Sequence, residues 1–377
     1  MLKRPVPRTI LFIFGTRPEA IKLSPLILRL QRASEAFRVR VCVSAQHRDM
    51  LDQVLAAFAI RPDYDLDAMQ PGQTLYQSTS RILGALEAVF KDALPDLAVV
   101  QGDTTTTLCG ALAAFYAGVP VAHVEAGLRT GDLRQPFPEE MNRVLASRLA
   151  TLHFAATPWA ADNLAKEGVT GNVWVTGNTG IDAVLYVRDR LETGELAAPA
   201  APYIDPAKRL ILVTAHRRES FGEGFERICH SLAAIAGRDD IQLVYPVHPN
   251  PQVQKPVNRY LRGHRNITLR EPLDYVPFVD LMRRSYLILT DSGGIQEEGP
   301  SLGKPILVLR EKTERPEAVE AGTVKLAGTD PTRILAETNR LLDDPEEYAR
   351  MSRIHNPYGD GHASQRIEAA LREYLRL

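Results

Sequence analysis

Thr290-Asp291-Ser292-Gly293-Gly294-Ile295-Gln296-Glu297-Glu298 follows the apolar run Tyr286-Leu287-Ile288-Leu289 and precedes Gly299-Pro300-Ser301-Leu302-Gly303. An apolar run closed by Asp-Ser-Gly-Gly, then a segment able to wind, reads as strand, tight loop and helix start. Adjacent glycines let a ligand approach the backbone, and a helix N-terminus carries about half a positive charge. Ser292, Gly293 and Gly294 therefore suit a phosphate. Glu298, about one turn further on, is placed to accept hydrogen bonds from a ribose diol.

The same strand-then-helix rhythm extends outward in both directions. Strands are expected at 9–14, 37–43, 97–100, 119–124, 152–155 and 173–175, and helices at 50–58, 74–90, 105–116, 139–149, 159–166 and 181–190. Pro18 suits the first position of a further helix that carries Ala20, Ile21 and Leu23 inward, and Pro25 is expected to kink or end it. Residues 192–206 turn rich in Ala, Pro and Gly, after which strands at 210–213, 241–245, 267–269, 286–289 and 306–309 alternate with helices. Alternation of this kind means parallel sheets wrapped on both faces. At 377 residues the chain exceeds what one core serves. Two α/β domains in tandem follow, with ligand at the carboxyl ends of the strands.

Composition excludes several classes of function. Lys+Arg 45 against Asp+Glu 46 leaves no basic excess for nucleic acid. No apolar run approaches a membrane span, and Lys3 and Arg4 precede only five apolar residues, so neither a membrane nor export is expected. Cys42, Cys109 and Cys229 are odd in number, far apart and without metal-ligand spacing, and they read as buried thiols in a reducing compartment.

Ionisable residues gather where strands end. Gly15-Thr16-Arg17-Pro18-Glu19 with Lys22, Gln101-Gly102-Asp103-Thr104, Glu125-Ala126-Gly127-Leu128-Arg129 and Thr214-Ala215-His216-Arg217 all occupy such rims. Each also has a packing explanation. Asp103 stands where a helix N-cap would, Glu125 is spaced to pair with Arg129, and Glu139 and Glu140 favour the first turn of a helix in any case. A basic first turn at Arg17 and Lys22 opposes the helix dipole unless an anion compensates it.

Seven strings in one order then carry a resemblance. Gly-Thr-Arg-Pro-Glu-Ala-Ile-Lys (15–22), Gln-Gly-Asp-Thr-Thr-Thr-Thr (101–107), His-Val-Glu-Ala-Gly-Leu-Arg-Thr-Gly-Asp (123–132), Pro-Phe-Pro-Glu-Glu-Met-Asn-Arg (136–143), Val-Thr-Gly-Asn-Thr-Gly-Ile-Asp (175–182), His-Arg-Arg-Glu-Ser-Phe-Gly (216–222) and Asp-Ser-Gly-Gly-Ile-Gln-Glu-Glu (291–298) together resemble the bacterial non-hydrolysing UDP-N-acetylglucosamine 2-epimerases. The resemblance runs from about residue 9 to residue 370. It implies an α/β, GT-B-like architecture of two Rossmann-like parallel-sheet domains facing each other across a cleft. Their extents would be residues 1–178 and 179–362, with a final helix at 363–377 crossing back to the first. It also implies reversible conversion of UDP-GlcNAc to UDP-ManNAc by a cytoplasmic homodimer that serves surface polysaccharides and uses no metal or nicotinamide cofactor.

By the same resemblance, Ser292, Gly293 and Gly294 hold the diphosphate with Arg17, Lys22 and His216 near it, and Glu298 takes the ribose. Leu273 and Phe278 hold uracil, and Arg315 closes on the nucleotide. Asp103, Glu125 and Glu139 face the sugar, where crowding is expected to raise their pKa values, and which of them is acid and which is base stays open. An activating second UDP-GlcNAc would meet Gln46, Arg217 and His248, although Asp49 and Gly72 replace the longer polar side chains expected there. A GT-B glycosyltransferase, an epimerase that hydrolyses UDP-sugar, and a non-catalytic UDP-sugar sensor are the competing readings. A nicotinamide dehydrogenase is disfavoured, since no Gly-x-Gly-x-x-Gly opens either half.

Overall fold

The computed structural model describes residues 6–45, 48–70, 72–353 and 355–377, and of Asp49 the backbone only. Residues up to Ala183 together with Tyr358–Leu377 form one compact unit, and Val184–Pro357 form a second.

The N-terminal unit is built on seven strands: β1 (Arg8–Phe14), β2 (Phe37–Val43), β3 (Tyr64–Asp65), β4 (Leu97–Gln101), β5 (Val121–Ala126), β6 (Leu152–Ala155) and β7 (Val173–Val175). They lie side by side in the order β3-β2-β1-β4-β5-β6-β7, every pair parallel. Phe12 of β1 lies opposite Val41 on one side and Val99 on the other. Ile10 to Phe14 are wholly buried, because helices cover both faces of the sheet; this is why β1 is a continuous apolar run and does not alternate.

The C-terminal unit repeats the plan with β8 (Arg209–Thr214), β9 (Ile241–Pro246), β10 (Ile267–Arg270), β11 (Leu287–Thr290), β12 (Ile306–Val308) and β13 (Val324–Leu326). Their order is β10-β9-β8-β11-β12-β13, again all parallel. Both units are thus Rossmann-like, the α/β, GT-B-like class expected. In each sheet the strand order reverses once, between β1 and β4 and between β8 and β11. Ligands of such folds bind beyond the strand carboxyl ends at that reversal.

Several local expectations are corrected. β3 and β13, two and three residues long, are too short to show a period, and the helices Pro316–Ala321 and Pro345–Ser352 were likewise not anticipated. β5 starts at Val121, after Pro120, and reaches past Glu125 to Ala126. Pro25 does not end its helix, which runs Arg17–Arg32. A proline inside a helix costs about 3 kcal/mol. Leu23, Leu26, Ile27 and Leu30 are fully buried on that helix, and at about 1.5–3 kcal/mol each they outweigh the cost.

The helix Ala363–Leu375 belongs to the N-terminal unit and packs on the helix Arg17–Arg32. Buried Asp182 caps it, accepting from the backbone N–H of Ser364 at 2.8 Å and of Ala363 at 3.2 Å. Arg29 pairs with Glu368 across the two helices.

Candidate active site

The β1 rim begins with Gly15, which is packed so closely that a β-carbon there would lie 2.0 Å from Ser44 Oγ and 2.6 Å from Thr106 Oγ1. Thr16 then caps the helix Arg17–Arg32. Arg17 is half-buried and pairs with no carboxylate among the described residues. Lys22, on the same helix, forms an ion pair with Glu125, whose Oε2 also accepts from Gln101 Nε2 at 2.8 Å. Glu125 sits at a bulge of β5 with a left-handed φ of 63°. A non-glycine residue held there is strained backbone, which surrounding structure must compensate. Arg129 turns instead to Glu167, at 2.7 and 3.0 Å, so the expected pairing of Glu125 with Arg129 does not occur.

Asp103, at the β4 rim, pairs with Arg143, whose guanidinium also donates to Glu140 Oε2 at 3.1 Å. Glu140 is buried and in turn accepts from the backbone N–H of Thr130 and Gly131, at 2.9 and 3.0 Å. Asn142 Nδ2 donates to the Asp103 carbonyl at 2.9 Å, and His123 Nε2 donates to the neighbouring Gly102 carbonyl at 2.8 Å. Burial pushes the pKa of His123 down to about 4, so this ring is neutral. Asp103 and Glu125 each hold a cation of their own. Glu139, the first residue of the helix Glu139–Leu149, differs: its Oε2 is buried and has no hydrogen-bond partner among the described residues.

In the C-terminal unit, wholly buried Asp291 ties the β11 rim to the β8 rim. Its Oδ2 accepts from the backbone N–H of His216 at 2.6 Å and of Arg217 at 2.7 Å. Thr214 and Thr290 hydroxyls meet at 2.6 Å just below, and buried Tyr245 donates to the Ala215 carbonyl at 2.5 Å. His216 stacks on His248 with centroids 5.1 Å apart. Burial lowers its pKa, helped by His248 and Arg217 and opposed by Asp291.

Ser292 is the N-cap of the helix Gly293–Glu298. Its own N–H is taken by Thr290 Oγ1 at 3.0 Å, but the amides of Gly293 and Gly294, first in the helix, have no acceptor within it. A β-carbon at Gly293 would lie 3.3 Å from Glu314 Oε1, 3.6 Å from Arg315 Nη2 and 3.7 Å from Arg217 Nη2. Two guanidiniums thus lie beside Gly293, with the Glu314 carboxylate between them and the helix start. Arg315 is anchored by Glu297, while Glu314 links Arg217, at 3.5 Å, to Arg310 at 2.6 Å. Glu298 closes the same short helix, half-buried. Leu273 and Phe278, also half-buried, lie at the start of the helix Tyr275–Arg284, which packs against β8.

Of the residues expected at an activator pocket, Arg217 and His248 fall on this rim, and Gln46 lies outside the described residues. A cavity of about 710 Å³ elsewhere in this unit, lined among others by Phe221, Arg227 and Lys312, contains none of the expected nucleotide contacts. Among the described residues no cluster of His, Cys, Asp or Glu is arranged to hold a metal ion, and no helix is long and apolar enough to cross a membrane. The sequence assigns no site role to Glu19, Arg143, His123 or Asp291. Thr16-x-x-Glu19 is a capping-box spacing and was the one available signal.

A family model described as UDP-N-acetylglucosamine 2-epimerase matches residues 29–372. The chain is 58% identical over 370 residues to UDP-N-acetylglucosamine 2-epimerase of Escherichia coli (strain K12), covering 96% of this chain and 98% of that protein. It is similar to the crystal structure of UDP-GlcNAc 2-epimerase from Neisseria meningitidis bound to UDP-GlcNAc, with a TM-score of 0.88, 48% identity, and 97% and 100% of the two chains covered. An S. aureus MnaA-UDP co-structure is similar at a TM-score of 0.85 and 47% identity, over 98% of this chain and 97% of that one. The chain belongs to the UDP-N-acetylglucosamine 2-epimerase family.

Proposed function

We propose that the protein interconverts UDP-GlcNAc and UDP-ManNAc by inverting C2 of the sugar. The observation that carries this reading is the presence of Asp103, Glu125 and Glu139 on three different elements of one rim. Inversion at C2 needs groups that take up and return a proton, and these three carboxyl groups are of that kind. The hydrogen on C2 has no adjacent carbonyl, so the C1–oxygen bond must loosen first. Its electron pair leaves with UDP, and loss of the C2 proton gives 2-acetamidoglucal. Returning a proton to the opposite face and re-adding UDP completes the inversion.

Departing diphosphate is best stabilised by donors fixed in advance. The Gly293 and Gly294 amides, the Ser292 hydroxyl, Arg217, Arg315 and His216 are such donors in the C-terminal unit. Glu298 takes the ribose, and Leu273 and Phe278 take the uracil. In the N-terminal unit Lys22 and Arg143 hold Glu125 and Asp103 in fixed orientation, while Glu139, with a buried oxygen that none of the described residues engages, is the group left to move a proton.

Exposed Tyr76, Phe115 and Tyr116, on helices of the N-terminal unit that pack together, support a homodimer. Three buried free cysteines support a reducing, cytoplasmic setting, and a ManNAc donor suits polysaccharide synthesis.

Proton NMR of UDP-GlcNAc in heavy water with purified protein tests the reading. Deuterium entering C2 with appearance of UDP-ManNAc is expected. Intact C2–H after long incubation sinks it, and free ManNAc reassigns the chain to a hydrolysing reaction.

A further inference from the structure

Glu19 is a carboxylate beside this site and only 1% exposed, yet no cation pairs with it among the described residues. Its oxygens are filled instead by donors from two separate rims. Oε2 accepts from the backbone N–H of Gly15 at 3.0 Å and of Thr16 at 2.7 Å, and from the Thr16 hydroxyl at 2.7 Å, all beyond β1. Oε1 accepts from the Thr104 hydroxyl at 2.6 Å and faces Thr107 Oγ1 at 3.1 Å, both beyond β4. Burial outweighs these bonds and raises the carboxyl's pKa above its ordinary value. A capping box needs only the first half of this arrangement and is satisfied by an exposed glutamate. The buried half, reaching across the strand-order reversal, needs another reason.

That reason is the company each rim keeps. Arg17 and Lys22 stand on the helix that carries Glu19, and Asp103 is the neighbour of Thr104. We infer that Glu19 is a positioning residue for the reaction, locking the start of the helix that presents Arg17 and Lys22 to the loop that presents Asp103. It rests on the epimerase reading and touches no substrate itself. Its effect passes through the Thr104 hydroxyl, which also caps the helix Thr105–Tyr116 by accepting from Thr107 N–H at 3.1 Å.

Glu19→Ala removes the first helix's cap and Thr104→Val that of the helix Thr105–Tyr116, so thermal melting accompanies both, and Thr104→Ser, which restores the hydroxyl, is the control for Thr104→Val. Initial rates with UDP-GlcNAc, inhibition by UDP, and thermal melting are measured on wild type, both Thr104 variants, Glu19→Ala and the Glu19→Ala/Thr104→Val double variant. A loss of about 1 Å in registration costs up to about 100-fold in turnover. Thr104→Val is expected to lower kcat at least about tenfold with UDP inhibition changed less than about threefold, Thr104→Ser to return within about threefold of wild type, and the double variant to be no slower than Glu19→Ala. A folded Thr104→Val with wild-type kcat overturns the inference, as does a loss fully explained by its unfolded fraction or a double variant whose losses simply multiply. Wild-type protein without C2 exchange would instead defeat the epimerase reading, so the two failures are distinct.

Discussion

Two histidines face each other across neighbouring strands of the N-terminal sheet, His123 on β5 and His153 on β6. Burial pushes each pKa down from 6.5 to about 4. The unfolded chain therefore takes up protons that the folded chain refuses between those values, so stability is undiminished above pH 6.5 and declines as pH falls toward 4. A separation of that size is worth at most about 3 kcal/mol per group. Urea unfolding at pH 7 and pH 4.5 should show the decline, and His123→Gln, which keeps a donor for the Gly102 carbonyl, should make it shallower. Equal pH dependence in the two proteins would refute the assignment. At the same scale, Lys22→Met frees Glu125 from its cation, and kcat should fall about 100-fold or more, the usual range for disturbing an acid/base group, with UDP inhibition little changed. Unaltered kcat would remove Lys22 and Glu125 from the proposed chemistry.

At the scale of elements, two glycines bear on how the rims are built. Gly127 has φ 89°, and a β-carbon there would lie 2.1 Å from the Ala160 carbonyl oxygen. Gly15 meets only hydroxyl side chains, Ser44 and Thr106, at similar closeness. Gly127→Ala should thus destabilise by more than the about 1–3 kcal/mol typical of overpacking, and Gly15→Ala by less, since a side chain yields where backbone cannot; thermal melting of the two variants decides. The long buried strands were legible because a strand covered on both faces is a run of apolar residues. β3 and β13 were not, being shorter than any period. The glycine-rich Ser292-Gly293-Gly294 rim was equally legible, because small residues there have a backbone purpose. The links of Glu19 to Thr104 and of Asp291 to His216 were not, because each joins residues that the chain separates widely and only the sheet order makes neighbours.

At the scale of the molecule, alternation along the chain sufficed for the α/β class, since parallel strands require crossovers. It carried no information on Asp182, the contact that makes the start of the helix Thr179–Thr193 part of the N-terminal unit. Ending the chain after Gly361 would strip Ile367 and Leu371, both wholly buried, from the helix Arg17–Arg32. That costs about 3–6 kcal/mol of burial, a large part of the about 5–15 kcal/mol that keeps a protein folded. Hydrogen exchange should then show protection lost in β1, β2 and β4 and kept in β8, β9 and β11. Uniform loss, or none, would contradict the division into units. The same division fixes a timetable during translation: the second unit has all its residues once Pro357 is out of the ribosome, whereas the first, although begun earlier, waits for the last helix to be delivered, so the half synthesised first is the half completed last.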